Sequence, residues 1–88
     1  MHYRVILNKK NQKSVQKLPG YEKKVFDQLV KDLADTGPIQ KDWNNFSPLE
    51  KNKYHCHLSY KWVACWYNEK KNITIEVYYV GSREKAPY

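Results

Sequence analysis

Eighty-eight residues carry 16 Lys and Arg against 9 Asp and Glu, a net charge of +7 that points to a polyanionic partner. With 41% hydrophobic and 15% aromatic residues, the chain is predicted to fold as one domain over residues 1–88 rather than to stay disordered. Cys56 and Cys65 are too few for a disulfide framework, and no Cys/His spacing suggests a structural zinc. No apolar leader and no apolar run near ~18 residues is found, so a cytoplasmic chain without a membrane span is expected.

In chain order, Tyr3–Leu7 (YRVIL) has the β-branched, apolar composition of a strand. Asn8 can cap a short polar helix from about Lys9 to Leu18, with Val15 and Leu18 facing inward, and Pro19-Gly20 stops it. A second helix follows from about Tyr21 to Asp35. Tyr21, Val25, Leu29 and Leu33, with Phe26 and Val30 beside them, make one apolar stripe at helical spacing, and Gly37-Pro38 ends it. Ile39–Asn52 is expected to be irregular and anchored by Trp43, Phe46 and Leu49.

The remaining stretch alternates with period two. Tyr54, Cys56 and Leu58 alternate with Lys53, His55, His57 and Ser59. Val63, Cys65 and Tyr67 alternate with Trp62, Ala64 and Trp66, and Ile73, Ile75, Val77 and Tyr79 alternate with Thr74, Glu76 and Tyr78. A first turn at Tyr60-Lys61 would set Cys56 opposite Cys65 and His57 opposite Ala64. A second turn at Lys70, with Asn72 left-handed, would set Cys65 opposite Ile75 and Ala64 opposite Glu76. The predicted class is α+β: an N-terminal strand, a two-helix hairpin and a three-strand antiparallel meander in one sheet, with the helices on one face. The other face would collect Lys53, His55, His57, Trp62, Trp66, Glu76 and Tyr78.

His55 and His57 project from the same side of a strand, about 7 Å apart by strand rise, and each can act as acid or base near neutral pH. A metal pair would need further ligands, and only Glu76 is at hand; no metal or cofactor is expected. Lys53, Lys61 and Arg83 would ring the face, and Arg83 is the pointed choice because a guanidinium forks onto phosphate oxygens. Trp62, Trp66 and Tyr78 suit stacking of unpaired bases. Gly81, Pro87, Arg83 and Lys85 would turn the tail back over the sheet, bringing Tyr88, the last residue of the sequence, as a proton donor or stacking partner. There is no Gly-rich phosphate loop and no acidic cluster for magnesium, so RNA cutting here would be metal-free attack of a 2′-hydroxyl on the adjacent phosphate.

The element order, together with LADTGPI, KYHCHLSYKWVACWY and the closing IEVYYVGSREKAPY, resembles the RelE/ParE superfamily of bacterial toxins, and within it the RelE-like branch. The resemblance implies a type II toxin–antitoxin toxin that enters the ribosomal A site, cleaves mRNA and pairs with a cognate antitoxin. It assigns catalytic roles to His55 and His57, where the founding members carry lysines, and to Lys61, Arg83 and Tyr88. A ParE-like toxin that poisons gyrase without cutting RNA is the alternative, and an inactive RNA-binding relative is a third.

Overall fold

The computed structural model describes residues 2–88. The elements are β1 (Arg4–Leu7), α1 (Lys9–Gln16), α2 (Gly20–Thr36), β2 (Ser47–Pro48), β3 (Lys53–His57), β4 (Trp62–Tyr67) and β5 (Thr74–Ser82), followed by a 3-10 turn over Arg83–Lys85. The strands form one sheet in the order β1-β5-β4-β3-β2. β1 runs parallel to β5, and every other neighbouring pair is antiparallel. This α+β class is the expected one, with a fifth strand added: two residues of the irregular stretch, Ser47 and Pro48, pair with His55 and Tyr54.

Local chemistry explains the helix boundaries. The Asn8 side chain accepts from the Asn11 backbone N–H at 2.8 Å and opens α1. α2 closes at Gly37, whose φ of 95° lies in the left-handed region and whose N–H donates to the Leu33 carbonyl at 2.9 Å. A Cβ at Gly37 would sit 2.9 Å from the Tyr3 ring, so the position also needs a residue without a side chain. Phe26, Leu29 and Leu33 of α2 are buried, together with Leu18. Tyr21, expected in the same stripe, is 69% exposed because the stripe turns away from the sheet at that end.

The expected register does not hold. Leu58 N–H donates to the Trp62 carbonyl at 2.8 Å, so three residues, Ser59-Tyr60-Lys61, make the first turn rather than two. Tyr-Lys offers no residue that readily takes positive φ at both positions, as a two-residue hairpin turn requires. The extra residue sets Cys56 opposite Ala64 and His55 opposite Cys65. A one-residue slip exchanges the faces of a strand, so Trp62, Ala64 and Trp66 join Cys56 and Leu58 on the helix side.

Between β4 and β5 the register shifts at Cys65/Trp66. Trp66 meets Val77 while Cys65 meets Tyr79, leaving Tyr78 as the extra residue of a bulge. Ile75, Val77 and Val80 therefore face the core, while Tyr79 turns its hydroxyl to the Ser82 carbonyl at 2.7 Å. In the second turn Lys71, not Asn72, takes positive φ (68°). Asn72 instead accepts from the Thr74 N–H at 2.9 Å, and Ile73, expected inward, is exposed.

Candidate active site on the open sheet face

β3 presents His55 and His57 on the side away from the helices. The two rings lie 5.7 Å apart between centroids. His55 is only 7% exposed, because the tail folds over it and Tyr88 sets its ring 4.4 Å away, tilted by 45°. His55 Nδ1 lies 3.0 Å from the Ser47 hydroxyl and 3.4 Å from the Ser47 carbonyl oxygen. The hydroxyl can donate or accept and the carbonyl can only accept, so a ring protonated at Nδ1 satisfies both contacts. β2 is thus what orients this imidazole. His57 is half-buried, and its backbone N–H donates to the Asn44 carbonyl at 2.8 Å.

Both imidazoles are held below the ordinary histidine range. For His55 the cause is burial, partly offset by the Ser47 backbone contact. For His57 it is burial first, then the neighbouring charges of His55 and Arg83. Both are therefore neutral near pH 7 and able to take a proton.

Arg83 reaches this face from the 3-10 turn. Its backbone N–H donates to the Lys61 carbonyl at 2.8 Å, which ties the segment after β5 to the last residue of the β3–β4 turn. The guanidinium lies 4.7 Å from the centroid of the Tyr60 ring, a contact worth about 0.5–1 kcal/mol at an exposed position. Lys61 is exposed beside it and shares a cavity of about 440 Å³ with Tyr60, Trp62, Ser82, Arg83 and Glu84. At the other end of the face Lys53 sits 5.5 Å from the Tyr78 ring centroid and 3.7 Å from the Glu50 carboxylate. Burial pushes the Tyr78 phenol up to about 12. The Tyr88 phenol is raised as well, by burial first, against the lowering effect of Arg83, and it keeps its proton at neutral pH.

Several expected members of the face lie elsewhere. Trp66 is fully buried among the helices, stacks with Phe46 and Tyr54 at 6.1 and 6.4 Å, and donates its indole N–H to the Pro38 carbonyl at 2.9 Å. It has no surface to offer a base. Trp62 is half-buried against the core at the end of the sheet, where it lines the cavity it shares with Lys61 and Arg83. Lys85 joins Lys10, Lys17 and Trp62 around a groove beside α1, away from the histidines. Glu76 pairs with Tyr67 in the row that contains Lys53, which puts it about 13 Å along the strands from His57. Tyr60, absent from the expected set, is 73% exposed and stands next to both Arg83 and His57. Its signal in the sequence was an aromatic residue at the centre of a turn. Ser47 left no signal, since a two-residue strand ending in proline has no periodicity.

The described residues hold no group of three or more His, Cys, Asp or Glu able to take a metal ion. No helix among them is long and apolar enough to cross a membrane.

No protein-family model matches the sequence, and comparison with curated protein sequences finds no match. Solved structures do match. The archaeal RelE of the RelE-RelB complex from Pyrococcus horikoshii superposes with a TM-score of 0.77 at 20% identity, over 98% of this chain and 100% of that one. A double mutant of the E. coli toxin RelE in the free state gives 0.75 at 15% identity, over 98% and 88% of the two chains. The E. coli DinJ-YafQ toxin-antitoxin complex gives 0.74 at 15% identity over 100% of both chains. With two helices on one side of a five-stranded mixed sheet, this chain has the fold of the RelE/ParE-like toxins of toxin–antitoxin systems.

Proposed function

We propose that the chain is a ribosome-dependent mRNA endoribonuclease and the toxin of a type II toxin–antitoxin pair. The observation that carries this is a neutral imidazole, His57, beside a guanidinium, Arg83, on the sheet face opposite the helices. His57 takes the proton of the 2′-hydroxyl as the 2′-oxygen bonds to phosphorus. The bond from phosphorus to the 5′-oxygen breaks, and that oxygen takes a proton from the Tyr88 phenol, which burial keeps protonated. The products are a 2′,3′-cyclic phosphate and a 5′-hydroxyl. Arg83 faces the charge that builds on the non-bridging oxygens, while His55 packs at a tilt against Tyr88 and positions it. No metal enters. The ribosome supplies the alignment of the strand, which a face this open does not enforce alone.

An antitoxin partner is supported by the neighbours, which include RelE-RelB, YoeB-YefM and DinJ-YafQ complexes. The basic surface suits an acidic or amphipathic segment.

The test is mRNA cleavage on programmed ribosomes. His57→Ala and Arg83→Ala are each expected to lower the single-turnover rate by about 10²–10⁴-fold. Full activity in both variants removes this site. Gyrase supercoiling inhibition without RNA cleavage would replace the ribonuclease with a binding toxin.

A further inference from the structure

Next to His57, with neither His55 nor Tyr88 in its walls, lies a cavity of about 200 Å³ lined by Asn44, Asn45, His57, Ser59 and Tyr60. None of the functional groups assigned so far uses it except His57. Its walls come from two segments far apart in sequence, the end of the loop before β2 and the β3–β4 turn. They are held together by the bond from the His57 N–H to the Asn44 carbonyl at 2.8 Å. Asn44, Asn45 and Tyr60 are exposed, the last by 73%, so their polar groups and the open ring face are available. The Tyr60 ring is braced by the Arg83 guanidinium at 4.7 Å.

We propose that this cavity is a nucleobase subsite that takes an adenine of single-stranded RNA adjoining the cut bond, stacked on Tyr60 and read along its edge by Asn44 or Asn45. The inference rests on the ribonuclease reading for its place beside the cut, though not for binding itself. The choice of base follows from the lining. An amide presents one donor and one acceptor side by side, matching adenine on either edge, N6–H2 with N1 or with N7, and the two-ring purine offers Tyr60 a larger face than a pyrimidine does. Guanine is read best by Arg or Lys at O6 and N7 or by a carboxylate at N1–H and N2–H2, and neither type lines this cavity. The volume admits one base, and the exposed aromatic ring supplies the face on which an unpaired base stacks.

The test uses the full chain and four uncleavable 2′-O-methylated trinucleotides of A, C, G and U, titrated with NMR detection of the side-chain amides. Oligo-A is expected to shift the Asn44 and Asn45 amide signals and the Tyr60 ring, with U, C and G binding more weakly. Tyr60→Ala is expected to weaken oligo-A by about 5–150-fold, and Tyr60→Phe to keep it. Asn45→Asp and Asn44→Asp exchange a donor for an acceptor, and at least one is expected to move the preference toward G, whose N1–H and N2–H2 donate to a carboxylate. Equal affinity in wild type and Tyr60→Ala, equal affinity for all four bases, or shifts confined to other surfaces would overturn the subsite. Cleavage on programmed ribosomes separates the two proposals. Cutting with a base preference unchanged by Tyr60→Ala sinks the subsite and leaves the ribonuclease. Oligo-A bound at this loop by a chain that cuts nothing sinks the ribonuclease and leaves the subsite.

Discussion

A buried imidazole loses hydration that its charged form needs more than its neutral form, and His55 and His57 both feel this. Their depressed folded values set the sign of a pH effect. Above about pH 6.5 both are neutral whether the chain is folded or not, and their contribution to stability is fully present. As pH falls below that value the unfolded chain takes up protons first, so stability drops until the folded values are passed. Urea midpoints are therefore expected to fall between about pH 7 and pH 5, and His55→Gln to flatten that slope; a midpoint rising toward acid would contradict it. The same shifts put the acid limb of cleavage below about pH 6.5. Trp66 poses the opposite case, an aromatic residue with no part in binding. Trp66→Ala empties a site enclosed by Phe46, Tyr54 and α2 and is expected to cost about 3–5 kcal/mol in denaturant unfolding. Phe at this position keeps most of the packing and loses the Pro38 bond.

At the scale of elements, the β3–β4 turn decides what each face carries. Its three residues place both tryptophans of β4 with the core and leave the histidines outside. Replacing Tyr60-Lys61 by Asn-Gly, with Ser59 kept, would favour a two-residue turn that pairs Ser59 with Trp62 and slips β4 by one position against β3. The expected outcome is loss of cooperative unfolding, seen as a broad thermal transition with Trp66 fluorescence shifted to the red. This is also where sequence reading reached its limit. Asn8, Pro19-Gly20 and Gly37 mark the helix ends because each acts on its own backbone within a few residues. Ile75 and Val77 were legible as core for the same local reason, a clean alternation. In β4, where both faces are apolar or aromatic, alternation carries no preference between them, and the choice falls to turn length and to the Tyr78 bulge. That His55 and His57 share the side of β3 opposite Cys56 and Leu58 was legible from the alternation within that strand. What could not be read was the Tyr88 ring over His55 or the Ser47 contact, since both arise from segments meeting across the finished sheet.

For the molecule as a whole, the excess of seven positive charges would make the proposed association with RNA a matter of ion release. Binding of a short single strand is expected to weaken with salt at a slope of about −0.7 per phosphate contacted. Arg83→Ala should reduce that slope by about one contact, while Lys23→Ala on α2 should leave it unchanged, both read from fluorescence anisotropy at several salt concentrations. A slope near zero would mean that the basic surface does not meet the backbone. The parallel pairing of Arg4–Leu7 with Thr74–Val77 bears on how such a protein comes to be made. The first strand to leave the ribosome waits for almost the last, so a nascent chain stays unfinished through most of its synthesis. Arg83 follows that closing strand. Under the proposed function, the machine that translates this chain would be spared its activity until elongation has passed β5.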